Sequence, residues 1–319
     1  MKILFTADLH IKLGQKNVPV IWQRDRFRAL FNEMDRLAYS EQCDKIIIGG
    51  DIFDRLPSME ELELYFEMLT CLATHEVVIY PGNHEAVKKS TSFLSNLKKV
   101  TSSITSGRTV IIDDYYEEDN FQIVPYNKLK EFEKSPFYNK PLCFTHVRGE
   151  IPPHVKPEVN LEVFEGFTHV FAGDLHSHDN SQLNITYPGS PITTSFHRDV
   201  VASGVIIIDT DAMEYDFKKL ELPQLIRKKV SDPAEMVQTT FHHTVYELEC
   251  ELGDTKVDNS LLDKKIVKKD SVSTLNLKGT ETLTEELQIY LRNVVKLDNE
   301  RVREILQVFH DSIKESDLE

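Results

Sequence analysis

Apolar residues follow two rhythms over the first eighty positions. Short unbroken runs, such as Ile46-Ile47-Ile48, predict buried strands over 2–7, 45–49 and 76–80. Between them the apolar positions recur at helical spacing. Phe27, Leu30, Met34 and Leu37 predict an amphipathic helix over 22–41. Leu62, Phe66 and Leu69 predict a second over 58–74, opened by Ser58 and Glu61 as a capping box. Strand–helix–strand–helix–strand is the order of βαβ units around a largely parallel sheet.

Further on, strands are predicted at 109–112, 121–124, 141–146, 168–172, 183–187, 204–209 and 214–220, with long helices thinning out. The expected fold is therefore α/β, a two-sheet β-sandwich flanked by helices, and not a plain doubly wound sheet. The pattern changes near Leu222-Pro223. Residues 1–222 read as the main domain, and 223–280 as a small α+β cap with Lys-rich stretches at 264–265 and 268–269. Residues 281–319 read as C-terminal helices, over 283–296 and 299–314. Val302, Ile305, Leu306 and Phe309 make one apolar stripe on the second.

Composition narrows the field. Forty per cent hydrophobic and 28% charged residues fit a soluble globular protein. No apolar run approaches the ~20 residues that span a bilayer. The N-terminus reaches polar Thr6 and Asp8 too soon for a signal peptide, so a cytoplasmic protein is expected. Cys43, Cys71, Cys143 and Cys250 lack CxxC spacing and read as reduced thiols. A net charge of -15 argues against gripping nucleic acid by bulk electrostatics. It leaves a nucleic-acid enzyme possible, because divalent cations reverse the sign at a site.

The chemistry sits just after the predicted strands, where open α/β sheets place their sites. Asp8-Leu9-His10 follows the first strand, and its ligand-type side chains at i and i+2 can converge on one cation. Gly49-Gly50-Asp51 follows the second; the glycines permit a tight turn, and the two oxygens of Asp51 could bridge two ions. Pro81-Gly82-Asn83-His84-Glu85 follows the third and offers an amide oxygen beside a histidine suited to acid catalysis. His146 ends the 141–146 strand. Asp174, His176 and His178 follow the 168–172 strand, with the register between them ambiguous. Singly, most of these motifs read equally well as ordinary turns or loops, although His84-Glu85 after a Gly-Asn turn is an unusual choice for a mere turn. Together they place Asp, Asn and His donors at five strand ends, a mixture suited to Mn²⁺, Fe or Zn²⁺. Paired ions ~3.5–4 Å apart can activate water and clamp the attacking and leaving oxygens of a displacement.

In these motifs the sequence resembles the calcineurin-like metallophosphoesterases. They are DLH at 8–10, GDIFD at 50–54, GNHE at 82–85, His146 and GDLH at 173–176. YPGSP at 187–191 makes it most similar to the SbcD type, the nuclease subunit of ATPase-linked DNA-break repair complexes, of which phages encode short versions. The similarity covers roughly residues 1–210. It implies one metal on Asp8, His10, Asp51 and His176, and a second on Asp51, Asn83, His146 and position 174, with His84 at the leaving group. Mn²⁺ is the implied ion. Two positions depart from the family pattern. Asp174 stands where the family usually has His, and Asp54 stands where cellular members often carry a second active-site His.

The resemblance implies a DNA nuclease with double-strand exonuclease and single-strand endonuclease activity, working in break repair and recombination. Its partner would be an SbcC-type coiled-coil ATPase docked on the C-terminal helices, around a homodimer within a heterotetramer. Arg55, Lys88, Lys89, Arg148 and Arg198 lie in or near the motifs and could bind DNA phosphates. Two alternatives stay open: a phosphatase or cyclic-nucleotide phosphodiesterase acting on a small substrate, and an interaction protein with a decayed site.

Overall fold

A computed structural model describes residues 1–88, 91–237, 239–250, 261–262, 267–268 and 282–316. The chain divides into two compact units, one of residues 1–228 and 238–245, the other of 229–237 and 246–319.

The first unit opens with β1 (Lys2–Thr6), α1 (Val20–Ser40), β2 (Lys45–Gly49), α2 (Met59–Cys71) and β3 (Glu76–Tyr80), the predicted alternation. Ser58 caps α2: its hydroxyl accepts from Glu61 N, and the Glu61 carboxylate accepts from Ser58 N. A small hairpin of β4 (Ala86–Lys88) and β5 (Thr91–Ser92) follows, then α3 (Lys98–Ile104), β6 (Thr109–Ile111), β7 (Tyr116–Glu118) and β8 (Phe121–Val124). Next come α4 (Leu129–Lys134), β9 (Leu142–His146), β10 (His169–Gly173), β11 (Ile185–Thr186), β12 (Gly204–Asp209), β13 (Glu214–Lys219), and β14 (Leu225–Val230) at the unit's edge.

These strands form a six-stranded sheet in the order β13-β12-β1-β2-β3-β6 and a five-stranded sheet in the order β11-β10-β9-β8-β7. Strands β1, β2, β3 and β6 run parallel, as do β8, β9, β10 and β11. The fold is thus the two-sheet sandwich that the pattern predicts. Strand periodicity explains how it closes. On β1, Ile3 and Phe5 face the space between the sheets, whereas Leu4 faces the helices. The inner layer is aromatic: Phe5 lies 5.3 Å from Phe144 and Phe144 lies 5.5 Å from Phe171. Polar links cross it too, among them the Tyr80 hydroxyl donating to Thr145 O at 2.8 Å. Leu30, Met34, Tyr65 and Met68 of α1 and α2 cover the outer face of the larger sheet, and Phe132, Phe164 and Tyr187 cover that of the smaller.

Some predicted bounds shift. The strand expected at 183–187 shortens to Ile185–Thr186 because Gln182 and Ile185 close a tight turn through paired backbone bonds. The helices α3 and α4 span too few residues for periodicity to reveal them.

The second unit contains β15 (His243–Cys250, its start belonging to the first unit), β16 (Val267–Lys268), α5 (Leu283–Asn293) and α6 (Asn299–Ser316). Its small core gathers Val230, Tyr246, Leu248, Leu261 and Leu262. Thr282 and Glu285 form a capping box on α5. Lys264, Lys265 and Lys269 lie outside the described residues, as does Lys89. Cys43, Cys71 and Cys143 are free thiols. Among the described residues no helix is long and apolar enough to cross a membrane.

Candidate metal centre

All five motifs leave the carboxyl ends of parallel strands, those of β1, β2, β3, β9 and β10, so the two sheets present their loops along one edge. There the backbone is bent out of its ordinary range. Asp8, His10, Asp51 and Asp174 all have positive φ, of 57, 46, 51 and 102°. Gly50, at φ +88°, leaves no room for a side chain, since a Cβ there would meet His146 Nδ1 at 2.6 Å. The close approach carries the His146 ring under the β2 loop, where its Nδ1 donates to Gly49 O at 2.8 Å.

Three donor groups result, each with atoms within 4.8 Å of one another: Asp8, His10 and His176; His10, Asp51 and His84; Asp8, Asp51 and His146. Asp51 links them. Its Oδ2 lies 3.7 Å from His10 Nε2 and 3.8 Å from His84 Nε2, while its Oδ1 lies 3.5 Å from His146 Nε2. His10 and His176 face each other, Nε2 to Nε2, at 3.0 Å. The Asn83 side-chain oxygen lies 3.0 Å from His146 Nε2. The same terminal position of Asn83 lies 2.8 and 3.0 Å from the Asp51 oxygens, so either its amide turns to donate, or a cation reconciles the crowded acceptors.

Electrostatics point the same way. Burial raises the Asp8 carboxyl well above the carboxylate range. Burial also drives His10 down to about 3, leaving a neutral imidazole fit to ligate a metal. Burial opposes charge on both Asp51 and His146, yet their mutual attraction wins, holding Asp51 below and His146 well above the usual range. Buried carboxylates and imidazoles with inward-facing lone pairs make a donor set that divalent cations fit.

Neighbouring groups fix the rings. His84 Nδ1 donates to Asp54 O at 2.6 Å, which leaves Nε2 facing the centre. Asp54 also lies 3.8 Å from His10 Nδ1 and pairs with Lys12 at 2.7 Å. Ser190 of the YPGSP segment donates toward Asp8 O at 2.7 Å, and its own N donates to His176 O. That segment therefore stitches the β1 loop to the β10 loop.

The ambiguity after β10 resolves by position. His176 joins the centre. His178 turns away, its Nδ1 donating to Tyr187 O and its ring stacked on Phe217 at 4.3 Å. Asp174 sits 4.0 Å from His146 Nε2, but Arg148 holds both its oxygens, at 3.0 and 3.2 Å. Of the other basic residues, Arg55 pairs with Glu61 at 3.0 Å and Arg198 is exposed. Lys88 ends β4.

Sequence reasoning names Glu85 within its motif but not its task. Fully buried, Glu85 accepts from the backbone N–H groups of Asp51 and Gly82 at 2.9 Å each and of Phe53 at 3.0 Å. It thereby clamps the Asp51 and Asn83 loops together. Its neighbours in sequence carry no signal of this, because the partners on the β2 loop are backbone groups more than thirty residues upstream.

Strand-end donors converging around Asp51 place the chain in a class, and comparison agrees. The chain belongs to the calcineurin-like phosphoesterases, whose family model matches residues 1–268. Over 319 residues it is 43% identical to the probable exonuclease subunit 1 of Escherichia phage T5, an alignment covering 96% of this chain and 97% of that one. A 95-residue stretch, 28% of this chain and 22% of the relative, is 30% identical to the SbcD component of the nuclease SbcCD of Rhodobacter capsulatus. A similar stretch, 29% of this chain and 21% of the relative, is 28% identical to the DNA double-strand break repair protein Mre11 of Archaeoglobus fulgidus.

Proposed function

We propose that the chain is a Mn²⁺-dependent DNA nuclease, with double-strand exonuclease and single-strand endonuclease activity, and that it acts in DNA break repair and recombination. The observation that carries this is Asp51, whose two oxygens face separate donor groups. One ion would rest on Asp8, His10, Asp51 and His176, the other on Asp51, Asn83 and His146, with Asp174 beside them. Such a pair supplies water activation and charge neutralisation at a phosphodiester. The chain's own residues do the rest. Asp51 holds the two halves in register. His84, with Nδ1–H committed to Asp54 O, can carry a second proton on Nε2 and release it to the leaving oxygen. Arg55, Lys88, Lys89, Arg148 and Arg198 would bind the DNA backbone, Arg148 while anchored by Asp174.

The names of the relatives, a probable exonuclease subunit, a nuclease subunit and a DNA double-strand break repair protein, support DNA as the substrate. They also support a partner, which we take to be an SbcC-type coiled-coil ATPase around a homodimer, in the cytoplasm, that of the host if the chain is phage-encoded. On α5 and α6, Leu287, Ile305, Val308 and Phe309 line an open apolar groove that suits such docking. The deciding experiment is hydrolysis of linear duplex and single-stranded DNA with Mn²⁺, with and without the ATPase. Turnover of small diesters alone would leave a small-substrate phosphodiesterase. Co-purification of the ATPase unchanged after deletion of 283–319 would remove the docking claim.

A further inference from the structure

Beside the metal centre lies a second cavity that the reaction as described does not use. It has a volume of about 290 Å³, and His176 forms part of its wall. While His176 Nε2 faces His10, its Nδ1 meets Thr194 Oγ1 at 3.2 Å, so the imidazole divides the two spaces. The lining is rich in hydroxyls, from Ser177, Thr193, Thr194, Ser195 and Ser203. The Ser203 hydroxyl is buried and has no hydrogen-bond partner among the described residues. A buried hydroxyl left unsatisfied in a polar cavity marks a place where a partner is missing.

The decisive neighbour is Arg26 of α1. It is only 5% exposed, and among the described residues no carboxylate pairs with it. Its Nη1 donates to Thr193 O at 3.0 Å and to Thr193 Oγ1 at 3.2 Å, directly behind the cavity wall, and its Nε has no acceptor. Burial lowers the guanidinium only to about 10, so it stays charged at neutral pH. A buried cation without a counter-ion is costly and projects a positive potential into the nearest polar space. The carboxylate on the lining, Asp179, is exposed, so water screens it far more than it screens Arg26. Hydroxyl donors, the imidazole of His197 and a buried positive charge are the chemistry that receives a phosphate oxyanion.

We propose that this cavity is an anion subsite for the phosphate next along the strand from the scissile one. The protein thus engages two successive phosphates of a polynucleotide. The inference rests on the nuclease reading and deepens it: a single phosphodiester fills the metal centre, and only a strand fills both sites.

The test uses the Mn²⁺-loaded full chain and four substrates. These are the dinucleotide TpT, its 5′-phosphorylated form pTpT, its 3′-phosphorylated form TpTp, and bis(p-nitrophenyl) phosphate. One of the two phosphorylated dinucleotides should exceed TpT in kcat/KM about tenfold, the scale of one charge-assisted contact. Ser195→Glu places a negative charge at an exposed lining position, and Ser203→Val fills the interior. Both should abolish that preference and leave bis(p-nitrophenyl) phosphate turnover within about twofold. Arg26→Met should act likewise, and the exposed Ser195 variant serves even where that one fails to fold.

No preference in the wild type, or a preference that survives Ser195→Glu, overturns the proposal. Calorimetric titration of the metal-free full chain with orthophosphate provides a readout independent of turnover, with binding expected in the wild type and lost in Ser195→Glu. Orthophosphate binding without any dinucleotide preference would make the cavity a site for free phosphate and also overturn the strand assignment. Wild type that hydrolyses bis(p-nitrophenyl) phosphate but neither DNA nor dinucleotides strikes at the nuclease reading instead, while the titration still reports on the cavity.

Discussion

The two halves of the metal centre are built from the same kind of strand-end loop, yet their donors are held differently. On the side of Asp8, His10 and His176, both Nε2 atoms point inward and burial keeps His10 neutral. On the side of His146 and Asp174, Arg148 already occupies the carboxylate, and the His146 imidazole holds its proton against Asp51. A cation entering the first half finds a neutral His10 but must displace the proton that burial keeps on Asp8. A cation entering the second must displace a proton and compete with a guanidinium. The difference teaches that the positions should fill in order, the His10 side first.

The severest challenge to this contrast is Asp51→Ala, which removes the group the halves share. DNA hydrolysis with Mn²⁺ should fall by more than about a thousandfold, and calorimetry should show both binding steps weakened. Loss of one step alone would mean that Asp51 serves one half only. Next comes Glu85→Ala, which leaves three buried N–H groups of the Asp51 and Asn83 loops without an acceptor. We expect a loss of about 3 kcal/mol in urea unfolding and weaker binding of both ions. Unchanged stability would show that the loops stand without their clamp.

Acidity should act on both halves. With His146 raised well above its ordinary value in the free protein, binding on that side releases a proton. Affinity there should therefore rise with pH, about tenfold per unit, until the raised His146 value is passed. Affinity on the His10 side should rise with pH as well, because His10 is already neutral but burial keeps a proton on Asp8 that the ion must displace. A step in Mn²⁺ titrations whose affinity stays flat across roughly pH 6 to 8 would mean that no buried proton is held on that side. The smallest effect is that of Arg148→Ala. It frees Asp174 from a partly exposed pair, and should tighten the second ion by no more than about fivefold while weakening DNA binding.

The legible parts of the molecule were those whose signal is local. Gly49-Gly50-Asp51 announces a turn and a carboxylate in three adjacent letters, and the apolar runs of β1, β2 and β3 announce buried parallel strands. Long helices show their period, so α1 and α2 appear within a few residues of their observed bounds. What stayed hidden depends on distance. Arg148 and Asp174 are 26 positions apart and meet only because β9 and β10 pair. Arg26 reads as one more polar residue on a helix, and its isolation from carboxylates exists only in three dimensions. The departure at Asp174 was visible as a letter, but the arginine that claims it was not.

Asp8 and His176 stand near opposite ends of a long stretch of chain, and the loops between them are drawn from both sheets. A nascent polypeptide that has emerged only as far as β9 possesses Asp8, Asp51 and Asn83 without the second imidazole wall. Its cutting power should accordingly switch on late and all at once, when the last loop closes. A ribosome-stalled chain ending just before β10 should be inert toward DNA at any Mn²⁺ concentration, which protects the cell from a half-made nuclease.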